Sequence, residues 1–246
     1  MSNRSRPEDA HDVIDPELLM LAYRSGIFPM AESRDDPEVM WIEPRERAII
    51  PLDGLHLSRS LAKVLKAERF TVTCNTAFAQ VVDACAAPRR PSRIDDGADS
   101  WISIRIAASY RLLHRLGNAH SIECWVEGGD GRELVGGLYG VGFGRVFCGE
   151  SMFSLVSDAS KVALCWLVAA MRVSRMELLD CQFMTPHLAT MGAVAMPQSD
   201  YLQLLETALR PTAQASFASL PDGFYSLSSA ASSPGKLIAQ SLTQTS

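Results

Sequence analysis

The sequence predicts an α+β fold, because its hydrophobic period is helical, then changes to that of strands, and then returns. Ile102, Ile106, Tyr110 and Leu113 recur at helical spacing, residues 120–127 alternate with period two, and Leu164, Leu167, Val168 and Met171 resume helical spacing before an apolar run at 177–183. With 246 residues and 47% hydrophobic content, the chain can bury a substantial core as one large domain with a small appendage.

Taken in order, the first helix is expected over Pro16 to Ser25: Asp15 can cap it, proline suits its first position, and Gly26 can end it. GIFPM at 26–30, an acidic loop around Asp35 and Asp36, and the segment Trp41 to Pro51 read as short strands and turns. A boundary near Pro51 to Leu55 gives a small N-terminal domain over 1–54. Two helices follow, Ser58 to Ala67 and Thr76 to Ala86, the second with Asn75 as its cap and Pro88 as its stop; residues 89–100 have loop composition. A helix from Trp101 ends at Gly117. Strands at 120–127, Leu134 to Val141 and Arg145 to Cys148, joined by glycine turns, make an antiparallel meander. Ser157 or Asp158 caps the next helix, and Glu177 to Phe183 is a further strand. The main domain thus spans 55–210. The Ser- and Ala-rich tail, 211–246, is expected to be irregular.

Composition excludes several classes. No run approaches the ~18 apolar residues of a membrane span, and MSNRSRPEDAHDVID lacks the apolar core of a signal peptide, so the cytoplasm is the expected location. The six cysteines form no CxxC pair, which argues against a disulfide scaffold or a zinc ribbon. There is no GxxxxGK[ST] loop, GxSxG elbow or HExxH pair, and GVGFGR at 140–145 fails GxGxxG at its last position. His114, His120 and His187 lack ligand-type partners at i+4, so no metal is expected. Net charge is −5, yet Arg59, Lys63 and Lys66 lie at i, i+4 and i+7 on a helix whose other side carries Leu61, Val64 and Leu65. That stripe is either a solvated helix face or a local contact to nucleic acid.

FCGESMFSLVSDASK at 147–161 is the segment whose composition fold maintenance least explains, since it mixes Gly149, Glu150, several hydroxyls and a lysine directly after an apolar strand. About twenty positions later comes Asp180-Cys181-Gln182, where strand periodicity puts Asp180 and Gln182 on one face. Gln does not titrate, but its carbonyl can hold an amine N–H while Asp180 polarises or fixes the amide. A buried polar pair tying strand to helix would use the same residues.

The runs GIFPM, Trp41 to Pro51, SWI at 100–102, LHRLGNAHSIECW at 113–125, LVGGLYGV at 134–141, GESMFS, DASK and DCQ resemble the leucyl/phenylalanyl-tRNA–protein transferases over roughly Gly26 to Tyr201. The resemblance implies an enzyme that moves leucine or phenylalanine, with methionine a further candidate, from aminoacyl-tRNA onto the N-terminal Arg or Lys of a protein, marking it for degradation. It also implies an acetyltransferase-like (GNAT) core behind the small N-terminal domain, and no cofactor, since the ester already holds the energy for amide formation. Asp180 and Gln182 match the family's catalytic positions, with Glu150 placed to hold a cationic acceptor. Trp41 and Trp101 match aromatic positions facing the terminal adenosine and the aminoacyl group. Leu138, Leu167 and Met171 match the pocket for the transferred side chain, with Phe153 and Ser154 beside them on the substrate side. For such an enzyme the stripe of Arg59, Lys63 and Lys66, read from its spacing alone, is the expected contact to the phosphates of the tRNA acceptor stem. The chain departs from the family's pattern at Gln198, where a basic residue is common, and in its short N-terminus.

Two further readings share this sequence. An acyl-CoA-dependent N-acyltransferase would cradle a pyrophosphate on a glycine-rich loop opening a helix, whereas SLVS precedes Asp158 here. A non-catalytic aminoacyl-tRNA-binding protein would have less need of Asp180, Gln182 and Glu150 together.

Overall fold

The computed structural model describes residues 13–88, 100–129, 131–211 and 219–243. In chain order the elements are α1 (Pro16–Arg24), β1 (Phe28–Met30), β2 (Met40–Ile42), β3 (Glu46–Ile50), α2 (Arg59–Lys66), β4 (Thr71–Cys74), α3 (Phe78–Ala86) and α4 (Ile104–Arg115). They continue with β5 (Ala119–Gly128), β6 (Gly131–Phe143), β7 (Val146–Ser154), α5 (Ala159–Val173), β8 (Leu178–Gln182), α6 (Pro186–Thr190) and β9 (Val194–Pro197). The last are α7 (Gln198–Leu209), α8 (Leu220–Ser229) and α9 (Pro234–Thr243).

Seven strands form one mixed sheet in the order β4-β5-β6-β7-β8-β3-β9, and β1 and β2 form a separate hairpin. Among the described residues only the β7–β8 pairing is parallel. The strand period of two divides the apolar residues between two faces. Ile122, Leu138, Phe147 and Leu179 face α2, α5, α8 and α9, while Ala119, Tyr139, Val146, Cys148 and Leu178 face α1, α3, α4 and α7. The central helix α5 is buried along nearly its whole length because the sheet lies on one side of it and α8 on the other.

Local signals set most boundaries. Asp15 Oδ1 accepts the N–H groups of Glu17 and Leu18, Ser58 Oγ that of Leu61, and Ser103 Oγ that of Ile106. Gly117, at φ 81°, ends α4 as expected. Asn75 does not cap α3. The strand β4, unnoticed in the sequence, carries Asn75 to the edge of β5, where its Oδ1 accepts Ser121 N–H at 3.0 Å; the buried Glu123 carboxylate receives Ala77 N–H instead. Asp158 stands ahead of α5 at φ 70° with no side-chain cap, and its carboxylate faces Lys161 Nζ at 3.5 Å.

Three larger expectations change. The strand expected to stop at Cys148 continues to Ser154, so the GESMFS run is sheet rather than loop, because β6 extends far enough to pair with all of it. β3, assigned to the N-terminal side of the boundary, pairs with both β8 and β9 and so belongs to the main sheet. The tail is not irregular where described. α8 opens with a capping box between Ser219 and Asp222, and Phe224 packs on Trp166 with ring centroids 5.0 Å apart. The serines face solvent while Leu220, Phe224, Leu227, Ile238, Ala239 and Leu242 bury an amphipathic stripe. Replacing Phe224 by Ala is expected to lower unfolding free energy by about 3–5 kcal/mol, measured by denaturant titration. A loss below about 1 kcal/mol would show that α8 adds nothing to the core.

Candidate active site

The site is built where two neighbouring strands part. β7 and β8 pair only from Val146↔Leu178 to Cys148↔Asp180; beyond that point β7 follows β6 and β8 follows β3. Each strand carries an extra residue there. Tyr139 pairs with Ser151 but Gly140 with Gly149, leaving Glu150 as a bulge, and Ala48 pairs with Gln182 but Ile49 with Asp180, leaving Cys181 as another. A bulge re-aims the side chains that follow it. After Glu150 the alternation restarts, so that Met152 packs with the α5 face and Phe153 with the α4 face. Gly140 is required at this level, since a Cβ there would meet the Cys148 carbonyl oxygen at 2.2 Å.

Asp180 is fully buried and shares its charge with Arg47, only 1% exposed. Arg47 Nε and Nη2 donate to Asp180 Oδ1 and Oδ2 at 2.9 and 2.5 Å, a bidentate pairing, and Nη1 donates to the Gly26 carbonyl at 2.9 Å. The guanidinium lies against the rings of Phe28 and Tyr201, 4.9 and 4.4 Å from their centroids, and Tyr201 Oη donates to Asp180 Oδ2 at 3.1 Å. Burial alone would lower the Arg47 pKa, but the hydrogen bonds and charge of Asp180 hold it above its usual value. Asp180 Oδ1 also accepts Gln182 N–H at 2.8 Å, across a backbone that places Gln182 at φ 63°. A non-glycine residue there is strained, and this hydrogen bond helps hold it. Asp180 therefore fixes Gln182 through its backbone.

Gln182 Nε2 in turn donates to Glu150 Oε1 at 2.9 Å, bridging the gap between the strands. Its own Oε1 has no partner among the described residues. Tyr110 Oη donates to Glu150 Oε2 at 2.7 Å; having used its single proton, it accepts from Tyr23 Oη, also 2.7 Å away. Among the described residues no cation pairs with Glu150. Burial pushes its pKa up to about 7, against the hydrogen bonds from Tyr110 and Gln182, which favour the carboxylate.

A cavity of about 740 Å³ opens over this pair. Leu138, Phe153, Ser154, Leu167, Trp101, Glu150 and Gln182 all line it, so the structure brings together seven of the residues the sequence singled out. Asp180, Met171, Trp41, Arg59, Lys63 and Lys66 are not in the lining. Met171 is fully buried in the core: along α5 the lining is Ser160, Leu164 and Leu167, and Met171 lies one turn beyond the floor. Trp41 is 41% exposed on β2 opposite Pro29, next to the lining residue Met30 rather than in the lining. Arg59, Lys63 and Lys66 are exposed along α2. Gln198 opens α7 and donates from Nε2 to the Gly26 carbonyl at 3.3 Å, the acceptor that Arg47 also uses. His120 is half-buried against Asn75 with its pKa lowered to about 4 by desolvation, a structural role, whereas His187 is half-buried in the cavity lining. No group of three or more metal-ligating side chains occurs among the described residues. Sequence reasoning missed Arg47, Tyr23 and Tyr201, and treated Tyr110 as core.

A family model described as leucyl/phenylalanyl-tRNA protein transferase matches residues 49–206, and one for its N-terminal domain matches residues 12–45. A leucyl/phenylalanyl-tRNA–protein transferase of Novosphingobium aromaticivorans is 56% identical over 264 residues, covering 95% of this chain and 97% of that protein. Those of Zymomonas mobilis and Rhizorhabdus wittichii are 54% and 53% identical, covering 80% and 83% of this chain and 70% and 79% of theirs. Among solved structures, L-PGS from Bacillus licheniformis gives a TM-score of 0.35 at 15% identity, over 70% of this chain and 55% of that one, too slight a likeness to inform the fold.

The raised pKa of Glu150 has a defined sign for stability. Between its ordinary value of 4.5 and about 7, the folded state keeps a proton that the unfolded state has lost, so stability falls as pH rises through that window. Glu150→Gln removes this dependence. From pH 4.5 to 7 the parent should lose a few kcal/mol relative to the variant in denaturant titrations, and parallel pH profiles would show that Glu150 titrates normally.

Proposed function

Because the chain belongs to the leucyl/phenylalanyl-tRNA–protein transferase family, we propose that it joins leucine or phenylalanine, carried as the ester of a tRNA, to a protein whose N-terminal residue is Arg or Lys. The product would carry a new N-terminal residue that marks it for degradation. The observation that carries the reading is Glu150: a buried carboxylate without a cation, facing a largely apolar cavity and hydrogen-bonded to Gln182.

The acceptor's α-ammonium must lose a proton before its nitrogen can attack the ester carbonyl. Once that proton has passed to solvent, the attacking nitrogen must shed a second one as the amide forms; a carboxyl titrating near 7 can take it and pass it to the departing ribose oxygen, since its two protonation states are then close in energy. Gln182 Oε1 accepts an N–H of the amine and aims its lone pair, while Nε2 stays on Glu150. Asp180, neutralised by Arg47, holds that geometry and does not touch substrate. The C–N bond forms as the C–O bond to the ribose breaks, and no ATP or covalent enzyme intermediate is required. Leu138, Leu164, Leu167 and Leu179 offer the apolar wall for the transferred side chain, and Trp101 offers a face for the terminal base, where stacking contributes about 1–3 kcal/mol. An acetyltransferase-like core accords with a mixed sheet whose only parallel strands part at the site.

Two measurements test this. Incubated with labelled leucyl-tRNA, the protein should label peptides beginning with Arg or Lys and leave Ala-initiated ones unlabelled; equal labelling of all three would overturn the selectivity for a cationic N-terminal side chain. Leu167→Ala should shift the leucine-to-phenylalanine ratio by about 1–3 kcal/mol of discrimination. Met171→Ala should instead lower stability by about 2–5 kcal/mol with the ratio kept. If Met171→Ala moves the ratio and Leu167→Ala does not, the wall has been misassigned.

A further inference from the structure

Helices α8 and α9 lie beyond the residues 49–206 that match the family model, yet α9 is built against the basic stripe on α2. Gly235 sits so close to the last turn of α2 that a Cβ there would meet the Leu65 carbonyl oxygen at 2.1 Å, and its N–H donates to Glu68 Oε1 at 3.1 Å. The contact puts the next residue, Lys236, beside the α2 terminus that carries Lys66 and leads into Arg69. Lys236, Arg59, Lys63, Lys66 and Arg69 are all exposed, and none makes a salt bridge among the described residues.

One exposed acid, Glu68, lies on this ridge. Neither α2 (RSLAKVLK) nor α9 (PGKLIAQSLT) contains an Asp or Glu, and the acid between them, Glu68, has an oxygen engaged by Gly235. In a chain with net charge −5, Arg59, Lys63, Lys66, Arg69 and Lys236 set five exposed cations against the one acid Glu68, a local excess of positive charge. α9 presents Lys236 and Gln240 to solvent, with Leu237 half-exposed, a polar face suited to a phosphodiester backbone rather than to a lipid surface.

We propose that the C-terminal helices extend the tRNA-binding surface, with Lys236 adding a phosphate contact to those of Arg59, Lys63 and Lys66. The inference rests on the reading of the protein as acting on aminoacyl-tRNA, and it gives the C-terminal segment a binding role beside its packing role. Lys236 is solvent-exposed in the first turn of α9, so its replacement leaves the buried contacts of that helix in place.

The test uses the full chain and a deacylated tRNA, with affinity measured across about 50–200 mM salt. Lys236→Gln should lower the log–log salt slope by about 0.7–0.9 with thermal stability unchanged, and should add to the loss caused by neutralising Arg59, Lys63 and Lys66 together. Arg24→Gln, an exposed cation on α1 at the other face of the sheet, should leave the slope alone. A Lys236→Gln protein with the parent slope, or an Arg24→Gln protein that loses as much, overturns the proposal. If the triple variant also keeps the parent slope, the α2 stripe falls with it. Transfer of label from leucyl-tRNA to an Arg-initiated peptide by the parent protein reports separately on the transferase reading.

Discussion

The buried Arg47–Asp180 ion pair is the interaction on which the rest of the site depends. Desolvating two charges costs several kcal/mol each, and the cost is offset only when geometry is close to ideal and the remaining hydrogen-bonding groups are satisfied. Here nearly every donor and acceptor is used: two parallel contacts join the pair, Gly26 takes the third guanidinium donor, and Asp180 accepts from Tyr201 and Gln182 besides. Such a pair adds little net stability over an apolar replacement, but it tolerates one arrangement. It locks β3 beside β8 and holds Gln182 in a conformation that its own side chain disfavours.

The same pair explains why one carboxylate of the site is inert and the other poised. Asp180 and Glu150 flank the same gap, yet a full counter-charge neutralises Asp180, whereas Glu150 meets only neutral donors. Two acids in one buried place thus acquire different chemistry from their partners. The gap itself follows from backbone: a parallel pair cannot be continued once each strand has inserted a residue, and the freed faces become walls.

Much of this was legible in the sequence, and the remainder fails for identifiable reasons. The helices α1, α2, α4 and α5 and the β5–β6–β7 meander follow from periodicity and end signals, and Glu150 and Gln182 stand out because polar residues in apolar strands need partners. Arg47 carried the same signal, an arginine inside ERAII, as did Asp180 inside LLDCQ; two opposite charges, each alone in a buried strand, point to one another across 133 positions. Reading them together would have placed β3 in the main sheet. Met171 lies outside the lining because helical spacing gives the face of α5 but not how deep the cavity runs. The bulges left no local mark, since an extra residue is defined only by the partner strand.

The Gly26 carbonyl and Tyr23 hydroxyl both belong to the segment matched as an N-terminal domain, and both end in the site: one on Arg47 and Gln198, the other on Tyr110 beside Glu150. Sequence modularity and physical modularity therefore diverge. A chimera that grafts the first 45 residues of a distant relative onto this body must also match the body's guanidinium and phenol at that seam. The two matched segments share one polar network, so a working chimera must preserve the network rather than the boundary.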